Sequence, residues 1–133
     1  MNSTVIWRGE QVYKGIDKNG NQVVIDPTTK ADGSISPPDL LLMSLGSCKG
    51  IFFNPAVKEM GLEVQDFEIS LTGEKSKQPN KLFNKININF RVWGDVTEQD
   101  VQKAIEKADT KCFIAHSLDP EIVMETSLEI VND

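Results

Sequence analysis

The sequence predicts an α+β fold, in which an antiparallel sheet carries helices that are segregated from its strands. Three features support this class: short segments rich in β-branched and aromatic residues, one long apolar segment, and one amphipathic segment. Together they give the element order βββ-α-ββ-αα-β. With 133 residues, of which 39% are hydrophobic, the chain has the size of one ordinary domain, and we expect residues 1–133 to form it.

The N-terminal region predicts a three-stranded meander. Residues 4–8 and 11–15 are short segments rich in branched and aromatic side chains. Asn19-Gly20 is a favoured hairpin turn and precedes a third such segment at residues 22–26. The segment that follows is rich in Pro, Thr, Asp, Gly and Ser, a composition typical of a loop.

A long central helix is predicted to begin after Ser36. Serine is a good N-cap residue, and proline is favoured at the first helical position, which Pro37 occupies. Asp39 stands three residues after the cap and completes a capping box. The apolar sequence continues to Met60, and Gly61 is a suitable C-cap.

The interior of this helix contains residues that favour a helix poorly. Pro55 cannot donate a backbone hydrogen bond, so we expect a kink or a short break near Asn54. Gly46 and Gly50 each cost about 1 kcal/mol relative to alanine and lie on one side of the helix. Two interpretations are open: the glycines allow tight packing beneath the sheet, or they leave room around the sulfur of Cys48 for a second thiol and a small substrate.

Three strands are predicted in the second half of the chain, at residues 62–75, 82–94 and 122–131. The second of them alternates between apolar and polar residues, as expected for a sheet that is covered on one face. Its apolar face consists of Ile86, Ile88, Phe90 and Val92.

Two helices are predicted between the last two strands. Thr97 can cap a helix over residues 98–108, with Asp100 at the third position of a second capping box. A shorter helix is expected over residues 111–118. The first of the two is amphipathic, and its apolar stripe consists of Val101, Ala104, Ile105 and Ala108.

Composition and charge exclude several classes of partner. The net charge is −6, and Arg8 and Arg91 are separated along the chain, so no basic surface for nucleic acid is expected. The N-terminus lacks the pattern of a signal peptide, and the apolar run at residues 40–53 contains Lys49 and is too short to span a bilayer. We therefore expect a cytoplasmic protein without membrane contact. In that compartment two cysteines are more often inert buried thiols or a reactive pair than a structural disulfide.

Cys112 is a candidate reactive thiol. If Asp109 or Thr110 caps the late helix, Cys112 lies in its first turn, where unpaired N–H groups and the helix dipole stabilise a thiolate. Lys111 adds positive charge, and His116, the only histidine, lies on the same helical face. The ordinary interpretations remain open, because a buried cysteine is often a small hydrophobic residue and a lone histidine often lies at the surface.

A metal site is a weaker hypothesis. Cys48, Cys112 and His116 are possible ligands by residue type. No CxxC or HxxxH spacing organises them, however, so we expect no metal and no other bound cofactor.

Two cysteine motifs resemble those of a known family. The segments SPPDLLLMSLGSCKG and KADTKCFIAHSL are similar to the signatures of the OsmC/Ohr family, the osmotically inducible and organic hydroperoxide resistance proteins. Element order, length and cysteine separation agree over nearly the whole chain, and the match is to a divergent OsmC-like branch. The resemblance implies an OsmC-like fold with a long central helix and an intertwined homodimer whose thiol sites lie at the subunit boundary.

The resemblance also implies a reaction. Cys48 matches the thiol that attacks a small organic hydroperoxide, and Cys112 matches the resolving thiol that forms a disulfide with it. An external dithiol reductant would then restore both thiols. The alternative is a non-catalytic member that binds a small apolar or thiol ligand at the dimer interface. Four apolar residues of the central helix are the expected pocket residues: Met43, Leu45, Phe52 and Phe53.

The groups that support the attacking cysteine differ from those of the best studied branches, which use an arginine and a glutamate. Pro38 occupies the glutamate position, and Asp39 matches the acidic residue of a more divergent branch. Asp39 lies nine residues before Cys48, about 180° around a straight helix, so its capping role explains it adequately. Arg8 is the one candidate for the arginine in the N-terminal region.

Overall fold

The computed structural model describes residues 1–132 and confirms both the α+β class and the predicted order of elements. The strands form two three-stranded sheets, one from the first three strands and one from the last three. The elements are β1 (Ser3–Trp7), β2 (Tyr13–Asp17), β3 (Gln22–Ile25), α1 (Pro37–Glu59), β4 (Glu63–Lys75), β5 (Phe83–Asp95), α2 (Glu98–Asp109), α3 (Phe113–His116) and β6 (Val123–Val131).

The chain forms two compact units, one of residues 1–41 and one from residue 42 onward. The first holds the sheet β1-β2-β3 and the first residues of α1, and the second holds the rest of α1 and the sheet β4-β5-β6. The organisation of residues 1–133 as one domain stays a prediction.

The first unit is the predicted meander. Strand β2 pairs antiparallel with both β1 and β3. The carboxylate of Asp17 organises the turn between β2 and β3, because it accepts the backbone N–H groups of Asn19 at 2.9 Å and Asn21 at 2.8 Å. Gly20 has a φ of +84°, a backbone conformation that glycine adopts without steric cost.

A second carboxylate organises the loop after β3. Asp26 is only 3% exposed. Its Oδ1 accepts the backbone N–H of Thr28 at 2.9 Å and the Thr28 hydroxyl at 2.8 Å, and its Oδ2 accepts the N–H of Ala31 at 3.0 Å. These bonds give the loop a defined course before the central helix.

Both predicted ends of α1 are confirmed. The Ser36 hydroxyl accepts the backbone N–H of Asp39 at 3.3 Å and donates to the Asp39 carboxylate at 3.0 Å. At the other end, Gly61 has a φ of +66° and donates to the carbonyl of Lys58, while Leu62 donates to the carbonyl of Val57. This pair of bonds is the Schellman arrangement, which satisfies the last carbonyls of a helix.

Of the expected kink or short break near Asn54, the break is wrong, because α1 continues through Pro55 to Glu59, and the kink stays a prediction. Pro55 removes the hydrogen bond to the carbonyl of Ile51, and both residues lie on the exposed side of the helix, where water can solvate that carbonyl. Buried neighbours on the other side, including Phe53 and Ala56, keep the segment helical.

Helix α1 has the length and apolar composition of a membrane-spanning helix, contrary to the estimate from the run at residues 40–53 alone. Within the second unit, however, Phe53 is fully buried and packs edge-on against Phe67 at 4.9 Å and against Phe90 at 5.1 Å between ring centroids. These contacts with β4 and β5 are those of a core helix.

The core of the second unit lies where the sequence places it. The apolar face of β5 and the apolar stripe of α2 are at most 1% exposed, and this set consists of Ile86, Ile88, Phe90, Val92, Val101, Ala104, Ile105 and Ala108. The cap of α2 is also confirmed, since the side chain of Thr97 accepts the N–H of Asp100 at 3.1 Å.

The prediction of an antiparallel sheet holds for β4 and β5 but is wrong for the last strand. Strand β6 pairs parallel to β5, so the second sheet is mixed. The physical reason is the connection: α2 and α3 carry the chain back along the sheet, and a helical crossover of this kind joins parallel strands.

Candidate functional site

The two cysteines meet in the second unit. Cys48 lies near the middle of α1, and Cys112 lies directly before α3. Both are free thiols, and they are 4% and 0% exposed respectively. The two thiols interact, because the Cys48 side chain raises the pKa of the Cys112 thiol. Two sulfurs that are distant along the chain therefore lie next to each other in the folded protein.

The position of Cys48 follows from the periodicity of α1. Leu45 and Phe53 are fully buried, and Cys48 and Lys49 lie between them on the same covered stripe. Residues three, four and eight positions apart share one face of a helix. Cys48 therefore faces the interior of the second unit, while its neighbour Ser47 is exposed.

The position of Cys112 depends on the end of α2. Asp109 is the last residue of α2, and Thr110 is its C-cap with the helical angles φ −64° and ψ −22°. The Thr110 hydroxyl donates to the carbonyl of Lys107 at 2.8 Å. Cys112 is itself the N-cap of α3, which is a single turn closed by the N–H of His116 to the Cys112 carbonyl. The prediction that Asp109 or Thr110 caps the late helix is wrong, because an N-cap needs extended backbone and Thr110 prolongs α2.

The electrostatic environment of Cys112 opposes ionisation. Burial raises the pKa of the Cys112 thiol, and the adjacent Cys48 thiol raises it further. The backbone N–H of Ala115 and the ammonium of Lys49 act in the opposite direction but do not compensate. The prediction that the start of the late helix stabilises a Cys112 thiolate is therefore wrong, since α3 is too short for its dipole to outweigh the effect of burial.

Lys49 also belongs to this site, although in the sequence it stands out only as an interruption of the apolar run. Its side chain is 5% exposed, and its Nζ donates to Oδ1 of Asp109 at 2.9 Å. The ammonium also acts electrostatically on the Cys112 sulfur. The signal was present in the sequence, because Lys49 lies four residues after Leu45 on the stripe that the apolar residues predict to be buried.

The three residues predicted to support the attacking cysteine have other roles or lie at the surface. Asp39 caps α1 with Ser36. Arg8 is exposed and follows β1 in the first unit. His116 ends α3 with an exposed side chain, and its link to Cys112 is the backbone hydrogen bond that closes the turn.

Arg91 is engaged on the polar face of the second sheet. Its guanidinium donates to Glu68 at 2.9 Å and to Glu129, and it lies over the ring of Trp93 at 5.1 Å. The two carboxylates raise the pKa of Arg91, so it carries a permanent charge. Residues next to each other on a strand point to opposite faces, so Arg91 points away from the core that Phe90 enters.

The structure favours the packing interpretation of the glycines in α1. A Cβ added at Gly46 would meet Leu71 Cδ1 at 2.5 Å. A Cβ added at Gly50 would lie 3.5 Å from Phe67 and 3.6 Å from Ile69, at ordinary contact distance. Both glycines thus face side chains of β4, and Gly46 allows the close approach of helix and sheet.

A groove of about 660 Å³ lies between α1 and α2 beside the Cys112 segment. One of its walls is Phe52, whose ring contacts Phe113 edge-on at 5.4 Å. Its remaining lining residues are Pro55, Ala56, Glu59, Met60, Lys103, Glu106, Lys107, Thr110 and Lys111.

The predicted pocket residues separate into two groups. Phe52 lines the groove, and Met43 is 54% exposed, so both are accessible to a ligand. Leu45 and Phe53 are 0% exposed and form part of the core. Their predicted contact with substrate is a misassignment, because the helical face that they share points into the sheet.

Within residues 1–132, no group of three or more His, Cys, Asp or Glu side chains is arranged to hold a metal ion. Cys48 and Cys112 are buried together, whereas the His116 side chain is exposed. The chemistry that the arrangement supports is therefore that of a thiol pair. Two adjacent free thiols can form a disulfide, and a buried cation lies beside them.

The fold and the site define a class of α+β proteins in which a thiol on a long core helix lies near a second thiol that follows the next helix. Residues 30–127 match the family described as OsmC-like protein. This span is more than half of the chain, and the chain belongs to the OsmC-like protein family.

Known proteins are similar to this chain over nearly their full length. Protein YhfA of Escherichia coli strain K12 is 29% identical over 133 residues, which cover 98% of each chain. The structure of an OsmC-like protein from Mycoplasma pneumoniae superposes with a TM-score of 0.86 at 17% identity, over 98% of this chain and 96% of that chain. The organic hydroperoxide resistance protein OhrB of Bacillus subtilis superposes with a TM-score of 0.69 at 17% identity, over 97% and 98% of the two chains.

Proposed function

We propose that this protein is a thiol-dependent peroxidase that reduces small organic hydroperoxides. The observation that carries the proposal is that Cys48 and Cys112 are buried together and that the Cys48 side chain acts on the Cys112 thiol. A thiol pair in contact can store the two electrons that reduce one O–O bond. Membership of the OsmC-like family supports this assignment, because members such as OhrB are named for organic hydroperoxide resistance.

The reaction has three steps. The Cys48 thiolate attacks one oxygen of the hydroperoxide, the O–O bond breaks, and the departing alkoxide takes a proton and leaves as alcohol, so that Cys48 becomes a sulfenic acid. The Cys112 thiol condenses with the sulfenic acid, which forms the disulfide and releases water. An external dithiol then reduces the disulfide by exchange and is itself oxidised.

The protonation of Cys112 agrees with these roles. Burial and the neighbouring thiol raise the pKa of Cys112, so this sulfur keeps its proton at neutral pH. A protonated Cys112 is a hydrogen-bond donor toward the attacking sulfur and does not compete with it as a nucleophile. The attacking role therefore falls to Cys48.

The experiment mixes reduced protein with a slight excess of tert-butyl hydroperoxide. We expect both thiols to be lost within seconds and a peptide map to show a Cys48–Cys112 disulfide. Cys112→Ser should stop at a sulfenic acid on Cys48 that dimedone traps, and Cys48→Ser should leave the peroxide unreacted. Thiols that are unchanged after minutes would contradict the peroxidase assignment.

A second candidate is a binding protein without peroxidase activity, which would hold a small apolar or thiol-containing ligand. The groove beside the Cys112 segment, with Phe52 and Met60 in its wall, favours this candidate. Cys48→Ser discriminates the two functions. Ligand binding should survive the substitution if the protein is a binding module, whereas peroxide reduction requires the sulfur.

We also propose that the protein acts in the cytoplasm as a homodimer. All five residues of β1 are exposed, and Val5 and Trp7 are 61% and 65% exposed. A small sheet needs a covered apolar face to be stable, and clustered apolar residues on a surface are typical of an interface. A second copy of the chain is the partner that the resemblance to the family implies.

A further inference from the structure

Lys49 is the only cationic side chain that is buried within residues 1–132. It lies next to Cys48 on α1, and its ammonium binds Asp109 at 2.9 Å. Asp109 is the last residue of α2, three residues before Cys112. The ion pair therefore connects the helix that carries the first thiol with the segment that carries the second.

Burial of a lysine costs the solvation free energy of its ammonium, and a methionine of similar length would fill the same space without that cost. One carboxylate partner satisfies only one of the three N–H donors of Lys49. A lysine that only fills space here would be less stable than a methionine. We therefore look for a negatively charged group that the ammonium stabilises.

The cysteine pair is the group that this charge can stabilise. The ammonium of Lys49 acts electrostatically on the Cys112 sulfur and favours its thiolate. Arg91 is engaged by Glu68 and Glu129 on the other face of the sheet. The titratable groups that act on the Cys112 sulfur include Cys48 and Lys49 of α1, and the ammonium of Lys49 is bound by Asp109 of α2.

We propose that Lys49 is a positioning residue of the thiol site, whose ammonium, oriented by Asp109, stabilises the negative charge on the cysteine pair. When the pair ionises, its proton leaves to water and the ammonium stays protonated, so no bond to Lys49 forms or breaks. The role in peroxide reduction rests on the proposed function, whereas the effect on thiol ionisation does not.

The test measures the alkylation rate of reduced protein by iodoacetamide as a function of pH, with Cys48→Ser as the background so that Cys112, the sulfur on which Lys49 acts, alone reports. We expect Lys49→Met to lower the rate at neutral pH about tenfold and to move the midpoint of the profile up by about one pH unit. Lys49→Arg should retain most of the rate, because the charge is kept. Lys58→Met, at an exposed position of the same helix, is the matched control and should leave the profile unchanged.

Lys49→Gln provides a second neutral variant that can still hydrogen-bond to Asp109, in case the methionine variant does not fold. If either folded neutral variant has the pH profile of the parent, or if Lys49→Arg loses the rate as Lys49→Met does, the proposal is overturned. Because alkylation needs no hydroperoxide, the result is independent of the peroxidase assay. A parent protein that consumes no peroxide would refute the proposed function and leave the ionisation result intact.

Discussion

At the scale of single residues, burial and hydrogen bonding move ionisable side chains in opposite directions. The Cys112 thiol is buried away from water, and this burial raises its pKa. The Asp26 carboxylate is also little exposed, but hydrogen bonds from Thr28 and Ala31 hold the pKa of Asp26 below its ordinary value. The sign of the shift thus depends on the donors that each group meets, and exposure alone does not decide it.

Asp26 gives a prediction about acid stability. We expect Asp26→Asn to lower the thermal midpoint at neutral pH, because the amide keeps one acceptor oxygen and loses the charge. The pKa of Asp26 is lower in the folded state, so its stabilisation is present above its unfolded pKa, near pH 4, and is lost as the pH falls through the folded value. The difference between variant and parent should therefore shrink below about pH 4 in thermal unfolding followed by circular dichroism.

Asp32→Asn is the control for this experiment, because Asp32 lies in the same loop with an exposed side chain. It should have little effect at either pH. Equal losses for the two variants, or a difference for Asp26→Asn that grows in acid, would show that the Asp26 hydrogen bonds do not stabilise the loop.

Lys49 shows the limit of residue-level prediction. A lysine in an apolar run is usually at the surface, because burial of an unpaired ammonium is costly. Its partner Asp109 lies 60 positions further along the chain, and the sequence does not indicate that the two residues meet. The helical periodicity that buries Lys49 is readable from the sequence, but the ion pair that makes this burial possible is not.

At the scale of elements, the ends of helices are where the sequence predicts them when the hydrogen bonds that form the cap join residues only a few positions apart. The Ser36 cap, the Thr97 cap and the Gly61 terminus are all where the sequence predicts them. Pro55 is a local signal that tertiary packing overrides, because the side chains before and after it in the chain that lie on the covered face, Phe53 and Ala56, are buried. The start of α3 differs from the prediction, because Thr110 is the C-cap of α2 and does not cap α3.

Replacing the two glycines of α1 by alanine is predicted to change the free energy of unfolding in opposite directions. We expect Gly46→Ala to lower the free energy of unfolding by about 1 kcal/mol, since the cost of overpacking against Leu71 exceeds the gain in helix propensity. Gly50→Ala should raise it by up to about 1 kcal/mol, because its Cβ finds ordinary contacts with Phe67 and Ile69.

Urea unfolding of the two variants and the parent measures both changes. The variants are matched controls for each other, because they place the same methyl group one helical turn apart. If Gly46→Ala were the more stable variant, the close approach of α1 to β4 would not be the reason for a glycine at this position.

At the scale of the whole molecule, the exposed apolar residues of β1 lead to a prediction about assembly. We expect light scattering after size exclusion to give a mass close to twice the 14.8 kDa of the chain. Val5→Glu should shift the protein toward the monomer, because a buried unpaired carboxylate is costly at an interface.

Gln11→Glu adds the same charge at an exposed position in the loop between β1 and β2 and is the control for that substitution. It should remain dimeric. A parent protein with the mass of a single chain at micromolar concentration would contradict the dimer, and an unchanged mass for Val5→Glu would exclude this strand from the interface.

The sequence by itself determined the α+β class, the order of the elements, the caps of α1 and α2 and the two motifs that contain Cys48 and Cys112. These features depend on turn chemistry, capping and periodicity, which act between residues close together in the chain. Only the tertiary structure decided that the two thiols are buried together, that Lys49 binds Asp109, and that β6 runs parallel to β5. Those outcomes depend on how α1, α2 and the sheet pack, and packing joins residues that no local pattern relates.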